Sequence, residues 1–353
     1  MRQGDGMQVR GGVHRSRHGR GGAGVTLIAF ALGAAACGST SATTQPTTAI
    51  KSATINVAYL GNMQSGSALA AAINKGYFAE EHLVVHPIEF QTGPLEVSAM
   101  EAGSVQFLSV GPGIMYLPMK GKGKYLFSDA ISQADSVVGS KSAGVTSAAD
   151  LKGKNVLVPL GSTGELILLE TLQKAGLQLS DVHMINTSPA EQVSAFLSGS
   201  APAMAGWAPI TTQILNKDPN AVTVASDINF YPSTAFPVNW AVDNSYAQSN
   251  PGVVSRFVRA MERGATYRTQ HLNEVAGWTA TLSKVPLALI QESEHQTIWF
   301  TGSQIAANYK SGAVARWMAR YNQLYIEEGI LTSTVPLSQY SMASVSVSAR
   351  KGS

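Results

Sequence analysis

The chain has 353 residues, of which 44% are hydrophobic and 13% charged, a composition typical of a folded protein large enough for two lobes. Its formal net charge is +3, but residues 1–36 hold five arginines against one aspartate, which leaves 20 basic and 21 acidic side chains in the remainder. This balance excludes the basic surface that nucleic-acid binding requires.

The N-terminal segment has the pattern of a targeting signal. A basic, glycine-rich stretch leads into apolar and small residues over 25–36, which are too few to span a bilayer but suit a signal-peptide core. Cys37, the only cysteine, follows directly. Small residues before a cysteine resemble the lipobox of bacterial lipoproteins. The resemblance implies a signal peptide over 1–36, lipidation of Cys37 and a flexible tether over 37–52; the alternative is an ordinary signal peptide with an incidental cysteine.

Strands and helices alternate from residue 53 onward. The β-branched run Ala53–Leu60 predicts a strand, Gly61–Gly66 a turn and the alanine-rich stretch Ser67–Asn74 a helix. A second strand over 83–90, a helix that opens near Pro94 and a third strand over 105–110 complete a βαβαβ unit.

The same order of elements recurs near 100 residues later, with a strand at Val156–Val158, a glycine-containing turn, an apolar helix, a strand near Val182 and a helix that opens at Pro189. This correspondence indicates an internal duplication. Ligand sites in parallel sheets lie beyond the carboxyl ends of the strands. We therefore expect four loops around one cleft: Gly61–Gly66, Gly111–Gly113, Gly161–Gly164 and Gly206–Pro209.

Two extended stretches, 136–139 and 235–242, are expected to carry the chain between the lobes, and the helical pattern from Pro251 is expected to pack on the first lobe. The predicted fold class is α/β. The predicted division is a first lobe over 53–135, a second lobe over 136–236, a helical return to the first lobe over 237–345 and a tail over 346–353.

Several segments resemble periplasmic solute-binding proteins of the nitrate, sulfonate, taurine and thiamine-precursor group of ABC importers: Gly76–Glu81, Asp150–Lys154 and the helix from Pro189 that ends before Trp207-Ala208-Pro209. The resemblance covers roughly 53–330. It implies a type II two-lobed binding-protein fold with parallel-majority sheets and two crossing strands. It also implies a lipid-anchored, extracytoplasmic bacterial protein, expected to be a monomer, that delivers a small molecule to permease subunits in the membrane.

An enzyme is the main alternative class, but the sequence has no Gly-x-Ser-x-Gly elbow, no His-Glu-x-x-His, no metal-spaced cysteines and no Walker-type Gly-Lys-Ser/Thr. We therefore expect no catalytic residues, no cofactor and no metal site. A lipid-anchored sensor with the same fold is a third hypothesis, and the sequence leaves it open.

The ligand is expected to be a sulfonate-like or other small oxyanion, with a neutral heteroaromatic such as a thiamine precursor as the rival. No arginine occurs between Arg20 and Arg256, so backbone amides and hydroxyls are the expected anion donors. Ser162 or Thr163 could instead only cap a helix. The predicted ligand-binding residues are Asn62, Gln64, Ser65, Gly66, Ser109, Gly111, Gly161, Ser162, Thr163, Trp207 and Trp240.

Overall fold

The computed structural model of the protein describes residues 50–345. The predicted signal peptide over 1–36, the predicted lipidation site Cys37, most of the tether over 37–52 and the tail over 346–353 lie outside these residues. Within 50–345, no helix is both long enough and apolar enough to cross a bilayer.

The strands and helices of the described chain alternate through its first two thirds, and helices dominate its last third. The strands are β1 (Ala53–Leu60), β2 (Leu83–Phe90), β3 (Phe107–Val110), β4 (Lys124–Ser132), β5 (Asp135–Ser140), β6 (Asn155–Val158), β7 (His183–Asn186), β8 (Ala203–Trp207), β9 (Ala221–Ser226), β10 (Phe236–Val242) and β11 (Thr297–Trp299). The helices are α1 (Met63–Asn74), α2 (Tyr77–Glu80), α3 (Gly93–Glu101), α4 (Tyr116–Met119), α5 (Thr163–Lys174), α6 (Pro189–Leu197), α7 (Ile210–Lys217), α8 (Asn244–Ser249), α9 (Pro251–Gln270), α10 (Leu272–Ser283), α11 (Leu287–Glu292), α12 (Gly302–Lys310), α13 (Ala313–Glu327) and α14 (Leu337–Tyr340).

The strands form two mixed sheets in which most strands run in one direction. The first has six strands in the order β11-β4-β10-β3-β1-β2, and β1 pairs in parallel with β2 and β3. The second has five strands in the order β7-β6-β8-β5-β9, and β6 pairs in parallel with β7 and β8. The predicted α/β fold with two parallel-majority sheets is confirmed.

The predicted internal duplication is visible in the topology. The order β2-β1-β3 in the first sheet matches β7-β6-β8 in the second. In each sheet an antiparallel strand borders this trio: β10 pairs with β3, and β5 pairs with β8. Strand β5 directly follows the first crossing, and β10 directly follows the second. Each of these strands therefore joins its sheet as the chain comes from the other sheet.

The two crossings are short connections. The chain leaves the first sheet at Ser132 and enters the second at Asp135, then leaves at Ser226 and returns at Phe236. The stretches 136–139 and 235–242, predicted to carry the crossings, belong to the strands that follow them. The first is most of β5 and the second contains all of β10, and each strand pairs on both edges. Below, "first lobe" means 53–132 with 236–345, and "second lobe" means 135–226; the lobes as functional units stay a prediction.

The C-terminal helices pack on the first lobe, as expected. Helix α9 lies against α1 so closely that a Cβ added to Gly264 would stand 2.9 Å from the Cβ of Ala72. Helix α13 has a further role, because its Met318 and Tyr325 belong to one buried apolar cluster with Leu166 and Leu169 of α5. This cluster joins the two lobes.

Candidate functional site

A cavity lies where the two lobes meet. The centres of water-sized spheres can occupy about 60 Å³ of it, so in this closed arrangement the space is small. Residues of both lobes and both crossings line it: Leu60, Asn62, Gln64, Ser65, Gly93, Ser109, Gly111, Pro112, Ile114, Ser132, Asp135, Ser162, Thr163, Trp207, Phe236, Pro237 and Val238. The structure thus brings together eight of the eleven predicted residues: Asn62, Gln64, Ser65, Ser109, Gly111, Ser162, Thr163 and Trp207.

The N-terminus of α1 forms one wall of the cavity. Asn62 caps the helix, since its side-chain oxygen accepts a 2.8 Å hydrogen bond from the amide of Ser65. The predicted turn over Gly61–Gly66 was therefore wrong beyond Asn62, because the cap starts the helix at Met63. The Ser65 hydroxyl accepts from the amide of Leu60 at 2.8 Å, so its own proton is free to donate. The first-turn amides of Met63 and Gln64 have no intrahelical acceptor.

The N-terminus of α5 forms the facing wall. Ser162 caps this helix: its hydroxyl accepts from the amide of Gly164 at 3.1 Å and donates to the carbonyl of Pro159 at 2.5 Å. That proton is occupied, so the Ser162 hydroxyl cannot donate to an anion, and the backbone of Ser162 is the donor that remains. The Thr163 hydroxyl makes no hydrogen bond to any described residue. Both residues line the cavity: Ser162 also caps the helix, and Thr163 has the hydroxyl that is available to a ligand.

Two glycines of the first lobe allow the walls to touch. A Cβ on Gly111 would collide with the Thr163 hydroxyl, and one on Gly113 would collide with the backbone of Ser162 and Thr163. Ser109 lies in β3, two residues before Gly111. It is fully buried, and its hydroxyl has no hydrogen-bond partner among the described residues. The lobes are therefore in direct contact around a space that holds an unsatisfied hydroxyl.

Asp135 is the only ionisable side chain among the lining residues, and it is 4% exposed. The Ser132 hydroxyl donates to its carboxylate at 2.6 Å, and the backbone amide of Asp135 donates to the Asp227 carboxylate at 3.2 Å. Burial raises the pKa of Asp135, and the neighbouring hydroxyl opposes that rise. Burial and the charge of Asp135 together raise the pKa of Asp227 to about 9. The two carboxyl groups therefore hold a proton between them near neutral pH.

The arginines that the C-terminal helices supply are used elsewhere. Arg268 is fully buried and pairs with Asp129 at 2.8 Å, and Arg320 pairs with Glu170 at 2.9 Å. Neither lines the cavity, so its described wall has no cation. Within 50–345, no group of three or more His, Cys, Asp or Glu side chains is placed to hold a metal ion.

Three predicted residues lie outside the cavity wall. Gly66 lies inside α1, where an added Cβ would stand 3.3 Å from Thr279. Gly161 lines a neighbouring cavity with Tyr116 and Tyr325. Trp240 is fully buried and stacks on Phe127, with ring centroids 6.2 Å apart, because β10 is an interior strand covered on both faces. We therefore remove these three from the proposed contact set.

Several lining residues escaped the sequence analysis, and most lie at the crossings. Ser132 and Asp135 flank the first crossing, and Phe236, Pro237 and Val238 open the strand after the second. The signal was present, since both segments were predicted to run between the lobes. Segments that connect two lobes necessarily border the space between them, so their first residues were candidates for the cavity floor.

Comparison with known proteins finds one matching family and relatives whose names describe binding proteins. The family model described as NMT1/THI5 like matches residues 65–274. A protein of Brucella abortus whose name describes a binding protein is 30% identical over 289 residues, which cover 82% of this chain and 90% of the relative. A protein of Bacillus subtilis named for binding aliphatic sulfonates is 26% identical over 225 residues, 62% of this chain and 67% of the relative.

Among solved structures, the alkanesulfonate-binding protein SsuA from Xanthomonas axonopodis pv. citri, bound to MOPS, matches with a TM-score of 0.64. The match covers 83% of this chain and 99% of that chain at 20% sequence identity. At this identity the likeness bears on the fold, and it agrees with the two-sheet topology with exchanged strands.

Proposed function

The chain belongs to the NMT1/THI5-like family, and from this premise we propose that it is the solute-binding component of an ABC importer that works outside the cytoplasm. It would capture a small molecule between its lobes and deliver it to permease subunits in the membrane. The names of the Brucella abortus and Bacillus subtilis relatives, which describe binding proteins, support this function. We propose no catalytic step for it.

The observation that carries the proposal is the cavity shared by the two lobes. Two helix N-termini, one from each lobe, face into it, and Gly111 and Gly113 bring the opposing backbones into contact. A ligand in this space touches both lobes only when they are closed, so its binding energy favours closure. Binding by closure needs no reacting group, which agrees with a wall that consists of amides, hydroxyls, apolar side chains and one carboxylate.

For the ligand we propose a small molecule with an oxyanion, such as a sulfonate or a carboxylate. The unpaired amides at the start of α1 and α5 and the hydroxyls of Ser65, Ser109 and Thr163 are suitable donors, and helix N-termini favour negative charge. A neutral heteroaromatic is the second candidate. It is favoured by the absence of a cation from the described wall and by the aromatic rings of Trp207 and Phe236.

We propose that Cys37 carries a lipid that anchors the protein to the cell membrane, and that the folded part acts as a monomer. Replacement of Cys37 by alanine should then release the protein from the membrane fraction. Retention of the variant in that fraction would contradict the anchor and leave the binding function in place.

The binding function is tested by thermal unfolding of the purified protein with a panel of sulfonates, nitrate, pyrimidines and small carboxylates. A ligand that binds only the native state stabilises it by about 2.7 kcal/mol at a concentration one hundred times Kd. This stabilisation raises Tm. We expect at least one class to raise Tm in a concentration-dependent way. A panel without any shift would contradict the proposed function.

A further inference from the structure

We propose that Asp135 is a specificity-determining residue of the cavity, which selects ligands that bring a protonated or N–H-bearing nitrogen to its carboxylate. The inference rests on the proposed function and names a second chemical group that the ligand should carry. Combined with an oxyanion at the helix N-termini, it describes a bipolar ligand, of which an amino-sulfonate or an amino acid is a simple example.

The charge balance of the wall leaves Asp135 without a counter-ion. Of the residues that line the cavity, Asp135 alone is ionisable, and none of the ion pairs in the described chain includes it. A buried carboxylate without a cation is costly, because desolvation is not offset by an opposite charge. The Ser132 hydroxyl donates to Oδ2 at 2.6 Å and the Asp227 carboxyl is a second hydrogen-bond neighbour, but neither brings a positive charge. A ligand nitrogen would supply the missing counter-charge.

Asp135 and Asp227 form a pair that shares a proton. Asp227 lies beside Asp135, is 1% exposed and has one carboxylate oxygen, Oδ1, without a partner among the described residues. Two adjacent buried carboxyl groups do not both ionise readily, and burial together with Asp135 raises the pKa of Asp227 to about 9. The pair therefore keeps about one negative charge at neutral pH, and Asp135 is the member that reaches the cavity.

Ser109 gives an independent sign that this space takes a polar ligand. Ser109 is fully buried, lines the same cavity and has a hydroxyl without a partner among the described residues. Buried hydroxyl groups are normally hydrogen-bonded, so this group indicates a partner that the protein itself does not provide. Donors at two helix N-termini, a free hydroxyl and one carboxylate together match a ligand with opposite polarities at its two ends.

The position of Asp135 also explains how it distinguishes a ligand nitrogen from a ligand oxyanion. Asp135 begins β5, and its Cα partner across the sheet is Trp207, which ends β8 and lines the same cavity. A nitrogen bound to Asp135 would therefore lie close to an aromatic wall, where a cation gains a further attraction. A carboxylate or sulfonate at that place would instead face a like charge with no cation beside it.

The test uses matched pairs of probes that differ only in the nitrogen: 2-aminoethanesulfonate against ethanesulfonate, 3-aminopropanoate against propanoate, and 4-aminopyrimidine against pyrimidine. Calorimetric titration of the wild-type protein should show at least a tenfold preference for the nitrogen-bearing member of one pair. Asp135→Asn should reduce that preference to threefold or less. The matched control is Asp227→Asn, which removes the other carboxyl of the pair but leaves Asp135 ionised, and it should retain the preference.

The outcomes separate the inference from the function on which it rests. If probes bind the wild-type protein equally well with and without the nitrogen, the role of Asp135 is overturned while the binding function stands. This wild-type comparison also decides the matter if Asp135→Asn fails to fold, which circular dichroism would reveal. If Asp135→Asn folds and keeps the full preference, the inference is again overturned. If no probe and no compound of the wider panel binds, the proposed function fails and the inference with it.

Discussion

The carboxylate of Asp227 accepts a 3.2 Å hydrogen bond from the backbone amide of Asp135. Asp135 begins the strand after the first crossing, and Asp227 directly follows the strand before the second. This one contact therefore ties together the two segments that connect the lobes. Its neighbours are Ser132, whose hydroxyl bonds to Asp135, and Tyr321, whose own pKa is raised mainly by burial and to a smaller extent by nearby carboxylates that include both aspartates.

The raised pKa of Asp227 predicts a pH-dependent stability. Its pKa rises from 3.8 to about 9 on folding, so between these values the native state binds more protons than the unfolded chain. The contribution of protonated Asp227 to the free energy of unfolding is fully present below about pH 4, and it is lost as the pH rises towards 9. Asp227→Asn cannot ionise, so its Tm relative to the wild type should increase by about 4 °C or more between pH 5 and pH 9.

The control for this measurement is Glu292→Gln, because Glu292 is an exposed carboxyl on α11. Its Tm relative to the wild type should stay nearly constant over the same range. A constant difference for Asp227→Asn as well would contradict the shared proton.

A second prediction concerns the network that joins α13 to α5. Arg320 on α13 donates to Glu170 on α5 at 2.9 Å and to the Thr234 hydroxyl at 3.2 Å, while Thr234 donates to Glu170 at 3.0 Å. These bonds join the two lobes in the closed arrangement. Arg320→Ala should therefore raise the Kd of a ligand by about threefold to tenfold, mainly through faster dissociation.

Arg316→Ala is the matched control for that variant, since Arg316 lies one turn earlier on α13 and bonds to the carbonyl of Ser311 within the first lobe. Stopped-flow dissociation measured for both variants distinguishes the roles. Equal dissociation rates for Arg320→Ala and the wild type would show that the network does not hold the lobes together.

Trp207 and Trp240, which the sequence analysis both assigned to the ligand site, should respond differently to replacement by alanine. Trp207 is partly exposed and lines the cavity, so Trp207→Ala should weaken ligand binding roughly tenfold with a small change in stability. Trp240 is fully buried in the first-lobe core, so Trp240→Ala should lower the free energy of unfolding by about 3–5 kcal/mol. Urea unfolding and calorimetry on both variants check the pair, and loss of binding without loss of stability in Trp240→Ala would contradict the assignment.

The alternation of apolar strands and helices was sufficient to predict the α/β fold, the duplication and the two crossings. The pattern of Gly161-Ser162-Thr163-Gly164 before an apolar helix likewise predicted a helix N-terminus, and Ser162 is its cap. These features are local, because strand periodicity and capping depend on neighbouring residues. The residues after Asn62 were misread as a turn because Gly66 suggested one, whereas the Asn62 cap outweighs a glycine inside α1.

What the sequence could not show is which side chains face the cavity. Trp207 lies in a loop expected at the cleft and Trp240 in a stretch expected to cross between the lobes, yet the packing of β10 between β3 and β4 buries Trp240. Asp135 escaped notice for the same reason. The role proposed for Asp135 depends on Asp227, which is 92 residues away, and on a cavity wall without arginine that both lobes contribute to.

The central claim is that ligand binding requires closure of the two lobes around the cavity, and Gly113 provides the most direct measurement. Gly113 lies in a 3-10 turn whose backbone an alanine can adopt, but an added Cβ would collide with the backbone of Ser162 and Thr163 in the opposite lobe. Gly252→Ala is the control, since a Cβ there meets no atom within 4 Å. The measurement is the calorimetric Kd of the compound that gives the largest thermal shift. We predict that Gly113→Ala raises this Kd at least tenfold and that Gly252→Ala leaves it unchanged; an unchanged Kd in a folded Gly113→Ala variant would contradict binding by closure.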